Sequence, residues 1–226
     1  MNDINNNGIW IIGDVHGEYD KLISLTNKLP NNANICLTGD LVDRGDNSAK
    51  VIELVLNKNW LSVLGNHELM MLKSMNKDSD NILWQQYGGN NTLISYEKLS
   101  DEVWASHIKY LNSLPYFLYF EIDGYKPLVV SHSYLHHVWI NKEHPYCEYD
   151  GHDILWRHMY DKKLFEPDKE LENNIFNVFG HSLVKEPLIT ETLAMIDTGA
   201  TYANNKGLGR LSAIHYPSLK VVSVYE

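Results

Sequence analysis

Five short apolar runs in this sequence are each followed within three residues by a side chain able to bind a metal ion: Asp14, Asp40, Asn66, His132 and His181. Glycine stands directly before four of them, as Gly13, Gly39, Gly65 and Gly180, and glycine permits sharp turns and close backbone approach. Asp14-Val15-His16 sets a carboxylate and an imidazole two residues apart, so in an extended segment both point to one face. The run from Gly39 to Gly45 adds Asp40, Asp43 and Arg44, and Gly65-Asn66-His67-Glu68 adds a neutral oxygen donor and a histidine where a helix starts. Taken singly, each has a plainer reading, with Asp14 or Asn66 capping a helix and Arg44 lying in a surface turn. Five strand ends carrying ligand types together favour one site over five coincidences. Carboxylate, amide oxygen and imidazole suit Mn, Fe or Zn better than Ca.

Such residues meet only if the elements before them are neighbouring strands. Ile9–Ile12, Ile35–Leu37 and Trp60–Leu64 read as buried strands, separated by amphipathic helices over 18–29, with Leu22, Leu25 and Leu29, and after Ser48, with Val51, Ile52, Val55 and Leu56. Ser48 is the expected cap of the second helix. In an α/β sheet the carboxyl ends of strands open on one crevice. Residues 68 to about 114 carry helical stripes and read as a helical insertion or flank. Beyond Pro115 the chain turns strand-rich, with runs at 116–122, 128–130, 175–179, 193–196, 211–215 and 220–225, which predicts a second sheet. The polar and aromatic stretch 132–174 reads as a surface loop region with short helices. The expected fold class is α/β (α+β), one catalytic domain over residues 1–226.

A chain of 226 residues with 44% hydrophobic residues buries one sizeable core. Its formal charge of −10 argues against nucleic acid or an anionic membrane as partner, so an anionic substrate must be held locally. The Asn-rich start lacks the basic and apolar regions of a signal peptide, and no later run is long enough to span a bilayer, so a soluble cytoplasmic protein is expected. Cys36 and Cys147 offer no disulfide framework and read as reduced thiols. His136, His137, His144 and His152 read as surface histidines rather than a third metal site, and Asp197 as a brace for the site.

GDVHG at 13–17, GDLVDRG at 39–45, GNHE at 65–68, SH at 131–132, FGH at 179–181 and IDTGA at 196–200 together resemble the calcineurin-like metallophosphoesterases. Within them the chain is similar to the short bacterial and lambda-phage-type members of the phosphoprotein phosphatase group. The resemblance implies two packed mixed β-sheets flanked by helices. It implies two divalent ions, Mn first, one held by Asp14, His16 and Asp40 and the other by Asp40, Asn66, His132 and His181, with water as nucleophile. Arg44 would bind the phosphate, and His67, oriented by Asp43, would donate a proton to the leaving group. Relatives of this type carry a second phosphate-binding arginine two residues after a tryptophan. Here Trp156-Arg157-His158 leaves that position to Arg157 or to His158. The implied function is removal of phosphate from phosphoserine or phosphothreonine, and from phosphotyrosine or phosphohistidine too, in phosphoprotein or phosphopeptide substrates. The alternatives are a diadenosine-tetraphosphate hydrolase, a branch that usually lacks the aspartate seen here as Asp43, and a catalytically silent phosphate-binding module.

Overall fold

The computed structural model describes residues 8–75, 78–135, 154–158, 174–202 and 207–225. Strand β1 (Ile9–Ile12), helix α1 (Tyr19–Thr26), β2 (Ile35–Leu37), α2 (Ser48–Asn57) and β3 (Leu61–Ser62) form the opening βαβαβ unit. Helices α3 (Asn66–Ser74), α4 (Asp78–Trp84), α5 (Asn90–Tyr96) and α6 (Asp101–Asn112) follow, and α4 runs into α5 through a π-helical turn over Gln85–Gly89. The remaining strands are β4 (Phe117–Phe120), β5 (Leu128–Ser131), β6 (Phe176–Phe179), β7 (Leu188–Ile189), β8 (Leu193–Met195), β9 (Leu211–Tyr216) and β10 (Val221–Val224).

These strands make two five-stranded mixed sheets, one in the order β10-β9-β1-β2-β3 and the other β4-β5-β6-β8-β7. In the first, β1, β2 and β3 are parallel, and in the second β5, β6 and β8 are. Alternation along β1 shows how they pack. Ile9 and Ile11 join Val130, Val178 and Ile196 in the core between the sheets, while Trp10 and Ile12 face Leu22, Leu25 and Val51 of the covering helices. Both faces are covered, which is why β1 reads as an unbroken apolar run rather than an alternating one.

Boundaries differ from the sequence reading by one to three residues, and the short edge strand β7 carries no pattern long enough to be read. Ser48 is the first residue of α2 rather than its cap, and its hydroxyl accepts from the Asp43 backbone N–H at 3.1 Å. The expectation of a surface loop region from residue 132 holds at exposed His158 and Asn174 and fails at 132–135, Ile154 and Leu155. His132, Leu135, Ile154 and Leu155 are all buried, because this segment closes the core beside β5. His136, His137, His144, His152 and Cys147 lie outside the described residues. Among the described residues no helix is long and apolar enough to cross a membrane.

Candidate metal centre

The parallel strands of both sheets end at one place. Asp14 follows β1, Asp40 follows β2, Asn66 opens α3 after β3, His132 follows β5, and His181 follows β6. Cross-sheet hydrogen bonds lock these ends together: the His181 N–H donates to Asp14 Oδ2 at 3.0 Å, and His132 Nδ1 donates to the Thr38 carbonyl at 2.9 Å. Close approach leaves no room for a side chain at Gly180, where a Cβ would land on the Asp14 carboxylate, or at Gly65, where it would land on Asp40.

Asp40 lies between two groups of donors. Its Oδ2 is 3.4 Å from His16 Nε2, and its Oδ1 is 3.4 Å from His132 Nε2. One cluster of candidate ligand atoms is Asp14, Asp40 and His132, and another is His16, Asp40 and His67. Asn66 Oδ1 joins the first, 2.6 Å from His132 Nε2 and 3.2 Å from His181 Nδ1. Asn66 therefore does not use its side chain as a helix cap; the amide oxygen faces the site.

Donor and acceptor roles test whether a cation fits. His16 Nδ1 donates to the Val42 carbonyl at 2.9 Å, as His132 Nδ1 does to Thr38, so in each neutral ring Nε2 carries a lone pair. Burial first, and neighbouring imidazoles second, push both rings well below the usual histidine range. His181 is lowered to about 3 by burial and by His158. Neutral nitrogen lone pairs thus face carboxylate and amide oxygens across the cluster. His181 Nε2 is buried without a hydrogen-bond partner. Asp14 and Asp40 are pushed well above the usual carboxylate range, both by burial first, then Asp14 by Asp197 and Asp40 by Asp14, so the pocket is short of positive charge. Divalent cations answer all of these deficits, and the donor set fits them.

Around this array the backbone is strained. Seven non-glycine residues have positive φ among the described residues, and five of them are His16, Asp40, Asp43, Arg44 and His181. Left-handed conformations in such residues persist only where the surroundings over-determine them, and they gather at functional sites. One buried side chain does much of that work. Glu68 accepts from the backbone N–H groups of Asp40 and Gly65 through Oε2, both at 2.8 Å, and of Leu41 and Val42 through Oε1 at 2.7 and 3.2 Å. Burial pushes its carboxyl up, and these donors pull it back.

His67 Nδ1 donates to Asp43 Oδ2 at 2.7 Å, as an oriented acid requires, and burial lowers the ring's pKa while Asp43 opposes that shift. Arg44 lies at the mouth of the site, where its Nη1 donates to His16 Nε2 at 2.6 Å and its Nη2 to His67 Nε2 at 2.9 Å. His158 stacks on His181 with ring centroids 4.6 Å apart, so it borders the centre, and Trp156 meets the same ring edge-on at 6.0 Å. Arg157 is half-buried between them in sequence. Asp197 is buried and accepts from the Gly199 N–H at 2.9 Å, and burial raises it to about 6.

The sequence reading missed Glu68, Trp84 and Thr92. Glu68 stands three residues after Gly65, the spacing of a helix-capping glutamate, which was the available signal. Trp84 and Thr92 carry none.

A fold of two mixed sheets whose strand ends gather carboxylates, an amide and imidazoles defines a protein with a candidate divalent-metal centre. The sequence profile of the calcineurin-like phosphoesterases matches residues 8–201, and the chain belongs to that family. Among curated relatives it is 28% identical to the bis(5'-nucleosyl)-tetraphosphatase PrpE [asymmetrical] of Bacillus thuringiensis (strain Al Hakam), over 95% of this chain and 92% of that one. The fold also matches a crystal structure assigned to a diadenosine tetraphosphatase, with TM-score 0.68, 24% identity and coverage of 97% and 94%. A protein serine/threonine phosphatase from Saccharomyces cerevisiae shares the fold with TM-score 0.64, 15% identity and coverage of 99% and 80%.

Proposed function

We propose that this chain hydrolyses the phosphate bridge of dinucleoside tetraphosphates, splitting it unequally into a nucleoside triphosphate and a nucleoside monophosphate. The observation that carries the substrate class is the end-to-end likeness to relatives named for that reaction. This displaces protein dephosphorylation, the leading expectation from sequence, to second place. The presence of Asp43 no longer decides between them.

In this reading Asp14, His16 and Asp40 hold one divalent cation, and Asp40, Asn66, His132 and His181 hold the other, with Mn as the metal. When bound, two such ions supply Lewis acidity and lower the pKa of water. The remaining steps belong to the chain's own side chains. Phosphate oxygens offer Arg44 a bidentate pair of bonds in which both partners are ionised, whereas the imidazoles it touches in the structure are neutral. Arg44 therefore moves to the substrate, and His67 Nε2 is released to face the departing oxygen. Protonated, His67 gives that proton to the leaving group while Asp43 keeps the ring oriented. His158 or Arg157 borders the phosphate from the other side.

The second reading, hydrolysis of phosphoserine or phosphothreonine in phosphoproteins, is favoured by the His67–Asp43 pair itself. A serine alkoxide is a poorer leaving group than a nucleotide phosphate and gains more from a proton. The test is to strip the protein of metal, restore Mn, and follow diadenosine tetraphosphate and a phosphoserine peptide in parallel. Formation of ATP and AMP at higher kcat/KM than peptide turnover is expected. Peptide turnover with an inert dinucleotide would reverse the order of the two readings, and two ADP as products would refute the unequal split.

A further inference from the structure

The carboxylate of Asp43 is fully buried and receives more than the His67 proton. Trp84 Nε1–H, at the end of α4, donates to both its oxygens, at 3.0 and 2.9 Å. Thr92, in α5, donates its hydroxyl to Oδ1 at 2.6 Å and accepts from the Asp43 N–H at 2.9 Å. Ser48 Oγ lies 3.1 Å from Thr92 Oγ1. The threonine proton is already donated to the Asp43 carboxylate, so the serine must be the donor in that pair. Every proton in the chain Ser48 to Thr92 to Asp43 then points toward the carboxylate. Such an arrangement holds the Asp43 carboxylate with its Oδ2 aimed at His67 Nδ1.

From this we propose that Trp84 and Thr92 are positioning residues for the His67–Asp43 pair, and that the helical insertion exists in part to deliver them. They act through Asp43 and touch no reacting atom. The inference rests on the role given to His67 and Asp43 above, and extends it to two side chains 41 and 49 residues further along the chain. The same segment grips the rest of the loop: the Gly88 carbonyl accepts from the Arg44 N–H at 3.2 Å, and Asn91 Nδ2 donates to the Arg44 carbonyl at 2.6 Å. A one-sided loss of the Trp84 and Thr92 donors leaves the Asp43 carboxylate under-bonded and free to rotate away from the imidazole.

The variants are Thr92→Val, which keeps the shape and removes the hydroxyl, Thr92→Ser, which restores it, and Trp84→Phe. Tyr96→Phe is the control, since Tyr96 is also in α5 and its hydroxyl pairs with His107 at 2.7 Å, away from Asp43. The first readout is the His67 Nδ1–H proton resonance in 15N-labelled protein loaded with diamagnetic Mg. The signal moves or broadens in Thr92→Val and Trp84→Phe, returns in Thr92→Ser, and stays in place in Tyr96→Phe. The second is kcat with Mn on a phosphoserine peptide against p-nitrophenyl phosphate. Thr92→Val lowers the former about tenfold and leaves the latter within about threefold, with KM unchanged. An unmoved resonance, or equal loss on both substrates, overturns the proposal; should Trp84→Phe not fold, the threonine pair decides alone. Asp43→Asn separates the two levels. If it shows no dependence on leaving group, the role of His67–Asp43 is wrong, whereas if it does and Thr92→Val does not, only the positioning role is.

Discussion

Substituting Glu68 with glutamine tests whether one buried carboxylate holds the loop 40–42 and Gly65 in place. The two side chains have nearly the same volume, so packing is unchanged and the difference is in acceptors. Glu68 takes Asp40 and Gly65 on Oε2 and Leu41 and Val42 on Oε1. Glutamine has one oxygen, so two of the four N–H groups are left facing an amide NH2. Losing two hydrogen bonds to a charged acceptor comes to about 3–6 kcal/mol. For a chain of this size each kcal/mol lowers Tm by roughly 2–4 °C, so a fall of about 6–24 °C follows. The assay is scanning calorimetry of wild type and Glu68→Gln, both saturated with Mn, and titration calorimetry of Mn into the stripped proteins. Mn binding weakens together with Tm, because the backbones of Asp40 and of Gly65, the residue before Asn66, are released at once. A fall in Tm below about 2 °C would mean that the N–H groups find other partners and that Glu68 is not the clamp.

Three further outcomes follow from the geometry. Gly180→Ala drives a Cβ into the Asp14 carboxylate and to 2.8 Å from Thr38 Oγ1, so Mn affinity falls by about tenfold or more in titration calorimetry. Removing the metal with a chelator lowers Tm, and Mn at about a hundred times its Kd restores about 2.7 kcal/mol, read by thermal unfolding; a Tm indifferent to Mn would sink the metal centre. Cys36 is fully buried, and burial pushes its thiol far up, so iodoacetamide leaves it unmodified in the native protein and labels it on unfolding, as peptide mass spectrometry reports.

The candidate ligands stood out in the sequence because a strand end is a local signal: an apolar run, in four of five cases a glycine, then a ligand type. Asp14, Asp40, Asn66, His132 and His181 all converge as that pattern implies. Contacts made by side chains over distance leave no such trace. Trp84 in a helix reads as core, and it is core, being 2% exposed; that its indole N–H reaches Asp43 depends on how the insertion docks, which no periodicity encodes. Thr92 reads as an ordinary helical residue for the same reason. The burial of His132–Leu135 was hidden because a polar, aromatic stretch of weak periodicity resembles an exposed loop, although here it closes a core.

The division of ligands between the sheets carries a consequence for folding. Asp14, His16, Asp40 and Asn66 come from the first sheet, while His132 and His181 come from the second. Neither half assembles the site. The hydrogen bonds that bring them together, from His181 to Asp14 and from His132 to Thr38, exist only once the sheets have packed through Ile9, Ile11, Val130 and Val178. Before that, Asp14 and Asp40 are solvated carboxylates with no reason to share a cation. Afterwards they are two desolvated negative groups whose mutual repulsion opposes the packing that made them neighbours. A cation bound between the sheets would reverse that sign and so link metal binding to sandwich assembly.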